Sequence, residues 1–113
     1  MILHQRDIIE VPFFDAGPHP AIVVSTPEIF EAEGFFYAVN LSTKNWYPDW
    51  TFAITPDMIN NPRNFKNGFA VCHVMQLYYA DEISNRFGSL KTEYFKQLVD
   101  KINQVIFKSL APQ

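Results

Sequence analysis

Apolar residues fall first into short runs and only at the end into a longer periodic stripe, a pattern that predicts strands followed by one helix. Arg6 to Phe14 reads RDIIEVPFF, where Ile8, Ile9, Val11, Phe13 and Phe14 make a short strand. Pro12 inside it points to a sheet edge or a bulge, because proline cannot donate to the ladder. Asp15-Ala16-Gly17-Pro18 is a turn. Ala21 to Ser25 is the second strand, its residues mostly small or β-branched as a buried pleated surface prefers. His19 stands between Pro18 and Pro20, and a residue before proline is pushed out of the α region. One titratable side chain is therefore expected on a stiff, extended hinge at the mouth of a core strand.

Glu28 to Gly34 carries Glu28, Glu31 and Glu33 and predicts a solvated loop or a single helical turn. Phe35 to Leu41 is the third strand, with Tyr37, Val39 and Leu41 on one face by alternation. Lys44 to Asp49 reads as a loop, Trp50 to Ile54 as a short fourth strand, and Pro56 to Ile59 as a helical turn opened by proline. After the Asn67-Gly68 turn, Phe69 to Leu77 is the longest strand expected, and Arg86 to Leu90 closes the strand region. Thr92 is the expected N-cap of a helix from Glu93 to about Lys108, with Glu93 near its positive end. Phe95, Leu98, Val99, Ile102, Val105 and Ile106 recur at spacings of three and four, one apolar stripe. An isolated helix of this length is marginal, so packing on the strands must hold it. Five short strands and one helix predict a small, strongly bent barrel closed by a C-terminal helix.

Composition narrows the picture. With 113 residues, 48% hydrophobic and 19% charged, the chain is expected to fold as one domain, residues 1–113, with a core of useful size. Eleven Phe, five Tyr and two Trp mean an aromatic core or rings reserved for an interface. A net charge of −3 lacks the basic excess of a general nucleic-acid binder, although a local cluster suffices. The single cysteine, Cys72, excludes an intramolecular disulfide and a multi-cysteine metal site, and its apolar surroundings predict a buried structural thiol. No leader-like segment and no run of membrane-spanning length stand in the sequence, so a cytoplasmic protein without membrane contact is expected. There is no phosphate-cradling glycine loop, nucleophile elbow or Cys–His signature. His19 and His73 lack a third ligand at metal spacing, so no metal and no cofactor are expected. Trp46, Tyr47 and Trp50 could stack bases, cover one end of the barrel or sit in a dimer interface.

RDIIEVPF, then HPAIVVS, then RFGSL ahead of the amphipathic helix resemble the MazF/PemK toxins of bacterial toxin–antitoxin pairs. That family typically shows an opening GDI strand, an RPAVVLS strand, a Thr or Ser at a strand end and a DQIRT strand. A basic-x-Gly-x-Leu segment and a C-terminal helix follow. The order and spacing agree over roughly residues 6 to 108. The resemblance implies an SH3-like, PemK-like β-barrel with a C-terminal helix, a homodimer, and metal-independent cleavage of single-stranded RNA. It also implies a partner antitoxin whose C-terminal segment occupies the RNA groove. At the active-site positions the chain departs from the family. His19 stands where the family has Arg, and Ser42 or Thr43 keeps the hydroxyl. Counting back from Arg86, the Asp, Gln and Arg of DQIRT fall on His73, Val74 and Gln76.

Metal-free RNA cleavage needs a base for the 2′-OH proton, an acid for the leaving 5′-oxygen and positive charge at the phosphorane-like transition state. Histidine serves as either acid or base near neutrality. His19 and His73 are thus expected as an acid–base pair replacing Arg and Asp, with Thr43 catalytic beside them. Ser42, Lys44, Gln76 and Arg86 are expected to contact RNA. The rival expectation is a barrel that has lost catalysis and binds RNA or protein. Both histidines facing one groove beside Ser42 and Thr43 favour the enzyme; His73 turned into the core favours the binding module.

Overall fold

The computed structural model describes residues 2–13 and 17–108. Eight strands form one antiparallel sheet curled into a half-barrel, with a helix packed against it. The elements are β1 (Asp7–Pro12), β2 (Pro18–Val23), α1 (Pro27–Glu33), β3 (Phe35–Ser42), β4 (Thr51–Ile54), β5 (Ile59–Asn60), β6 (Gly68–Val71), β7 (Gln76–Tyr79), β8 (Asn85–Leu90) and α2 (Thr92–Ile102). The strands run in the order β4-β6-β3-β2-β1-β8-β5, with β7 also paired to β3. Phe14, Asp15 and Ala16, the expected end of the first strand and most of the first turn, lie outside the described residues.

The unbroken apolar runs of β1, β2 and β3 follow from burial on both faces of the sheet. Ile8, Ile22 and Val39 stand opposite one another across these strands and face α2, where they meet Leu98, Phe95 and Ile102. Their neighbours Ile9, Ala21, Val23 and Ala38 turn to the other face, beneath Leu3, Phe36, Tyr78 and Phe30 of α1. Each large side chain so buried contributes about 1.5–3 kcal/mol before entropy is subtracted.

Several expectations need correction. The long strand expected from Phe69 to Leu77 is two strands, β6 and β7, broken at a turn through Cys72 and His73. The register gives the reason. Ala70 faces Leu41 and Gln76 faces Ala38, so this chain advances six residues while β3 advances three. The excess bulges out, and the Cys72 N–H donates to the Trp50 carbonyl at 2.9 Å. Glu28 to Glu33 belong to a seven-residue helix, α1, capped by Gly34, rather than a loop or single turn. Pro27 starts it, Phe30 anchors it to the sheet, and Gly34 ends it at φ +78°, a left-handed position that favours glycine.

The N-cap of α2 is Lys91, not Thr92. Thr92 is the first helical residue, and its hydroxyl accepts a hydrogen bond from Arg6 at 3.0 Å. The expected single helix to Lys108 is α-helical to Ile102 and continues as a π turn from Asn103 to Phe107. Val99, placed in the apolar stripe by spacing, is exposed. Five expected strands became eight because of the β6–β7 break, a two-residue strand at Ile59 and Asn60 where a helical turn was expected to end, and Asn85–Leu90, a full strand where only the close of the strand region was expected.

Candidate functional site

β2 begins where β3 ends, and His19, Ser42, Thr43 and Lys44 lie at that junction. His19 lies within β2 opposite Val11, half-buried, its ring 5.3 Å from that of Phe13. The two flanking prolines give it the extended backbone expected, as part of the strand rather than as a free hinge. β2 and β3 pair with Ala21 opposite Asn40. Continuing that register would set His19 level with Ser42, on the face that carries Ala21 and Asn40.

Ser42 is the last residue of β3, opposite Phe69 of β6. Its Oγ accepts the Lys44 N–H at 3.1 Å and closes a short turn. Thr43 and Lys44 follow in the open, with the Lys44 ammonium 5.3 Å over the Trp46 ring. His73 sits in the β6–β7 turn on the other side of β3. Its half-buried ring packs edge-on to Tyr47 at 4.6 Å and tilted against Trp50 at 4.7 Å. Tyr47 and Trp50 are themselves stacked, 6.0 Å apart at 20°. His73 Nδ1 is buried without a hydrogen-bond partner, which leaves Nε2 as the nitrogen that could meet a ligand. β3 separates the backbones of His19 and His73 by about two strand spacings, ~10 Å or more.

Gln76 opens β7 opposite Ala38 and shares a face with Tyr78 and Asn40. The Tyr78 hydroxyl donates to Asn40 Oδ1 at 3.0 Å, a buried polar pair behind the site. Burial pushes the Tyr78 phenol up, partly offset by that hydrogen bond. Burial also raises the Cys72 thiol to about 11, with Lys101 pulling weakly the other way. Cys72 is therefore a neutral thiol at ordinary pH and part of the floor beneath His73.

Arg86 stands apart. It lies on β8 opposite Ile9, three strand spacings from β3, about 14 Å away. Its guanidinium donates to Asp7 Oδ2 at 3.2 Å and to the Ile2 carbonyl at 2.7 Å. It lines a polar pocket of about 310 Å³ with Asp7, Asn60, Arg63 and Ser89. The structure thus brings His19, Ser42, Thr43, Lys44, His73 and Gln76 around β3, and does not bring Arg86 there.

Sequence reasoning missed Asp7, Asn40 and the packing of Tyr47 and Trp50 on His73. Alternation held a signal for two of these, since Asp7 shares a face with Ile9 and Asn40 with Ala38. The third depends on the β6–β7 bulge, which no local turn residue announces. Among the described residues, no three His, Cys, Asp or Glu side chains converge to hold a metal ion. No helix among them is long and apolar enough to cross a membrane.

No protein-family model matches the chain, and no curated protein matches it. Solved structures do. An endoribonuclease in complex with its cognate antitoxin, from a mycobacterial species, superposes with a TM-score of 0.79 at 14% identity over 98% of this chain and all of the other. The chain has a MazF-like fold. A chain of a MazE–MazF crystal structure from Deinococcus radiodurans gives a TM-score of 0.70 at 12% identity, covering 93% of this chain and 95% of that one. The Mycobacterium tuberculosis toxin MazF-mt6 gives 0.71 at 12%, covering 88% and 95%. These identities carry the MazF-like fold and leave activity to the residues.

Proposed function

We propose that this chain is a toxin of the MazF/PemK kind: a metal-independent endoribonuclease that cuts single-stranded RNA in the cytoplasm, acts as a homodimer and is neutralised by an antitoxin. The observation that carries this reading is the junction of β2, β3 and the β6–β7 turn. There His19 comes level with a strand end that carries two hydroxyls and a lysine, and His73 stands across β3 in the turn packed on Tyr47 and Trp50, on a fold shared with proteins named as endoribonucleases and antitoxin partners.

One imidazole takes the 2′-OH proton, and the 2′-oxygen forms a bond to the adjacent phosphorus. The bond from phosphorus to the 5′-oxygen breaks, and the other imidazole delivers its proton to that oxygen, leaving a 2′,3′-cyclic phosphate. The Thr43 hydroxyl and Lys44 ammonium stabilise charge on the non-bridging oxygens. Ser42 and Gln76 position the strand. Arg86, already held by Asp7, contacts the backbone at a distance from the scissile phosphate.

One observation favours a second reading, in which the fold binds RNA or protein without cutting. His73 buries one ring nitrogen and packs on two aromatic rings, as a structural histidine does. Incubation of a long single-stranded RNA with purified protein and EDTA separates the two, with His19→Ala and His73→Ala alongside. Cutting by the native chain, lost in either variant by about 10²-fold or more, is the expected result. Cutting that survives both substitutions overturns the two-histidine mechanism. No cutting at high protein concentration overturns the enzyme and leaves the binding module.

A further inference from the structure

We infer that the rings of Trp46, Tyr47 and Trp50, backed by His73, form a base-stacking subsite for unpaired nucleotides that flank the phosphate held at Thr43. The inference rests on the reading of RNA as substrate and adds where and how the strand is gripped.

Single exposed aromatic residues are ordinary on protein surfaces, but three within five residues are a patch. Trp46 is 67% exposed, and Tyr47 and Trp50 are each 46% exposed. Tyr47 and Trp50 are also held in place. The Trp50 N–H donates to the Tyr47 carbonyl and the Trp50 carbonyl accepts from Cys72, each at 2.9 Å. Thr51 Oγ1 donates to Asn45 Oδ1 at 2.6 Å, and Pro48 starts the tight turn between the two stacked rings. His73 props both from below. A surface whose rotamers are already fixed loses little entropy when a flat ligand settles on it.

The surroundings favour a nucleic-acid strand over a protein. A protein hot spot is ringed by contacts that exclude water. Here Ser42, Thr43, Lys44, Asn45 and Asp49 surround the rings, and all but half-buried Ser42 are exposed. The platform is continuous in sequence with the hydroxyls and with Lys44, whose ammonium sits over Trp46. Stacked bases and an adjacent phosphate can therefore be met by one loop. Asp49 offsets Lys44, so attraction here comes from stacking and its salt dependence is shallow. Base–aromatic stacking also tolerates any base, because each presents a flat face.

Both tryptophans of the chain lie in this patch, so fluorescence excited selectively at tryptophan reports on it alone. The probe is a non-cleavable six-nucleotide 2′-O-methyl oligoribonucleotide, compared with the same sequence in a duplex and with abasic sugar-phosphate of equal length. Expected is quenching by the single strand, little by the other two, and affinity about 5–150-fold weaker for Trp46→Ala or Tyr47→Ala. Tyr47→Ala uncovers His73 and could disturb the fold; Trp46→Ala touches only Lys44 among these groups and serves as the second variant. Binding without quenching, and unchanged in Trp46→Ala, overturns the subsite. Long-RNA cleavage that both substitutions leave unchanged also overturns it while the nuclease stands. Quenching and weakened binding without any cleavage support the subsite while the nuclease fails.

Discussion

Along the β1–β8–β5 edge, polar groups are spent on the fold. Asp7 Oδ2 accepts from Arg86 at 3.2 Å and from the His4 N–H at 2.9 Å, while Arg6 donates to the Leu90 carbonyl and to Thr92. Backbone strain collects there too, with Arg6 at φ +83° and Asn61 at +51°. At the end of β3 and in the β6–β7 turn beside it the opposite holds. His19 and His73 touch rings rather than hydrogen-bond partners, Ser42 serves only its own turn, and among the described residues the Thr43 hydroxyl has no partner. The same sheet uses polarity as mortar on one side and leaves it available on the other. The available groups are the ones on which the proposed RNA reading rests.

Substitutions ranked by the stability they remove would break that contrast if it is wrong. Gly88 stands first. Its φ of +112° strains any other residue, and a Cβ there would run into the Asn60 carbonyl oxygen and crowd that of Asn61. Gly88→Ala is expected to cost about 3 kcal/mol or more, read by urea denaturation. RNA cleavage per folded molecule should not change, since Gly88 lies on the side that holds the fold.

Cys72, beneath His73, comes next. Its thiol is held at about 11 against an ordinary value of 9.0, so the folded chain keeps a proton that the unfolded chain gives up. The contribution is complete below pH 9 and is lost as pH rises through 11. Over that window about 2–3 kcal/mol of stability should disappear. Tyr78 is shifted in the same direction and adds to the slope. Comparing the native chain with Cys72→Ala from pH 8 to 11 isolates the thiol; equal slopes would show that Cys72 is not the buried floor described.

Arg86→Ala sharpens the comparison from the first side. It leaves the Asp7 carboxylate, 12% exposed, without its cation, while Arg86 itself is 40% exposed. The loss expected is about 1–3 kcal/mol. Affinity for a short RNA centred on Thr43 should fall less than in Lys44→Ala. A larger fall in Arg86→Ala would move the site toward the pocket beside Asn60 and Arg63.

The sequence carried much of this arrangement. Proline on both sides of His19 and the run of β-branched residues after it were enough to place the histidine at a strand mouth. Spacing of three and four found Phe95, Leu98 and Ile102 on the buried face of α2. The break between β6 and β7 was not legible, for a physical reason. Cys72 and His73 carry no turn chemistry, and their bulge is imposed by β3, β4 and Trp50, all distant in sequence. The role of Arg86 was obscured likewise, because its partner Asp7 is 79 residues away. Family resemblance could align Arg86 with a basic position but could not show what occupies its guanidinium.

The smallest stability effect carries the sharpest information about the hydroxyls. One slip of register would exchange the faces of Ser42 and Thr43. The pairing of Ser42 with Phe69 fixes it, and Ser42 Oγ is turned back onto the Lys44 N–H. Thr43, one residue beyond the strand, has a hydroxyl without a partner among the described residues. Ser42→Ala and Thr43→Val should each change stability by within about 0.5 kcal/mol, since neither removes a buried partner. Their effects on RNA should differ. Thr43→Val is expected to lower the cleavage rate with little change in affinity, because a contact made only as charge develops acts on the chemical step. Ser42→Ala loosens the turn that aims Lys44 and should mainly weaken binding. If Ser42→Ala instead lowers the rate alone, the reacting phosphate sits one residue deeper, against the strand end itself.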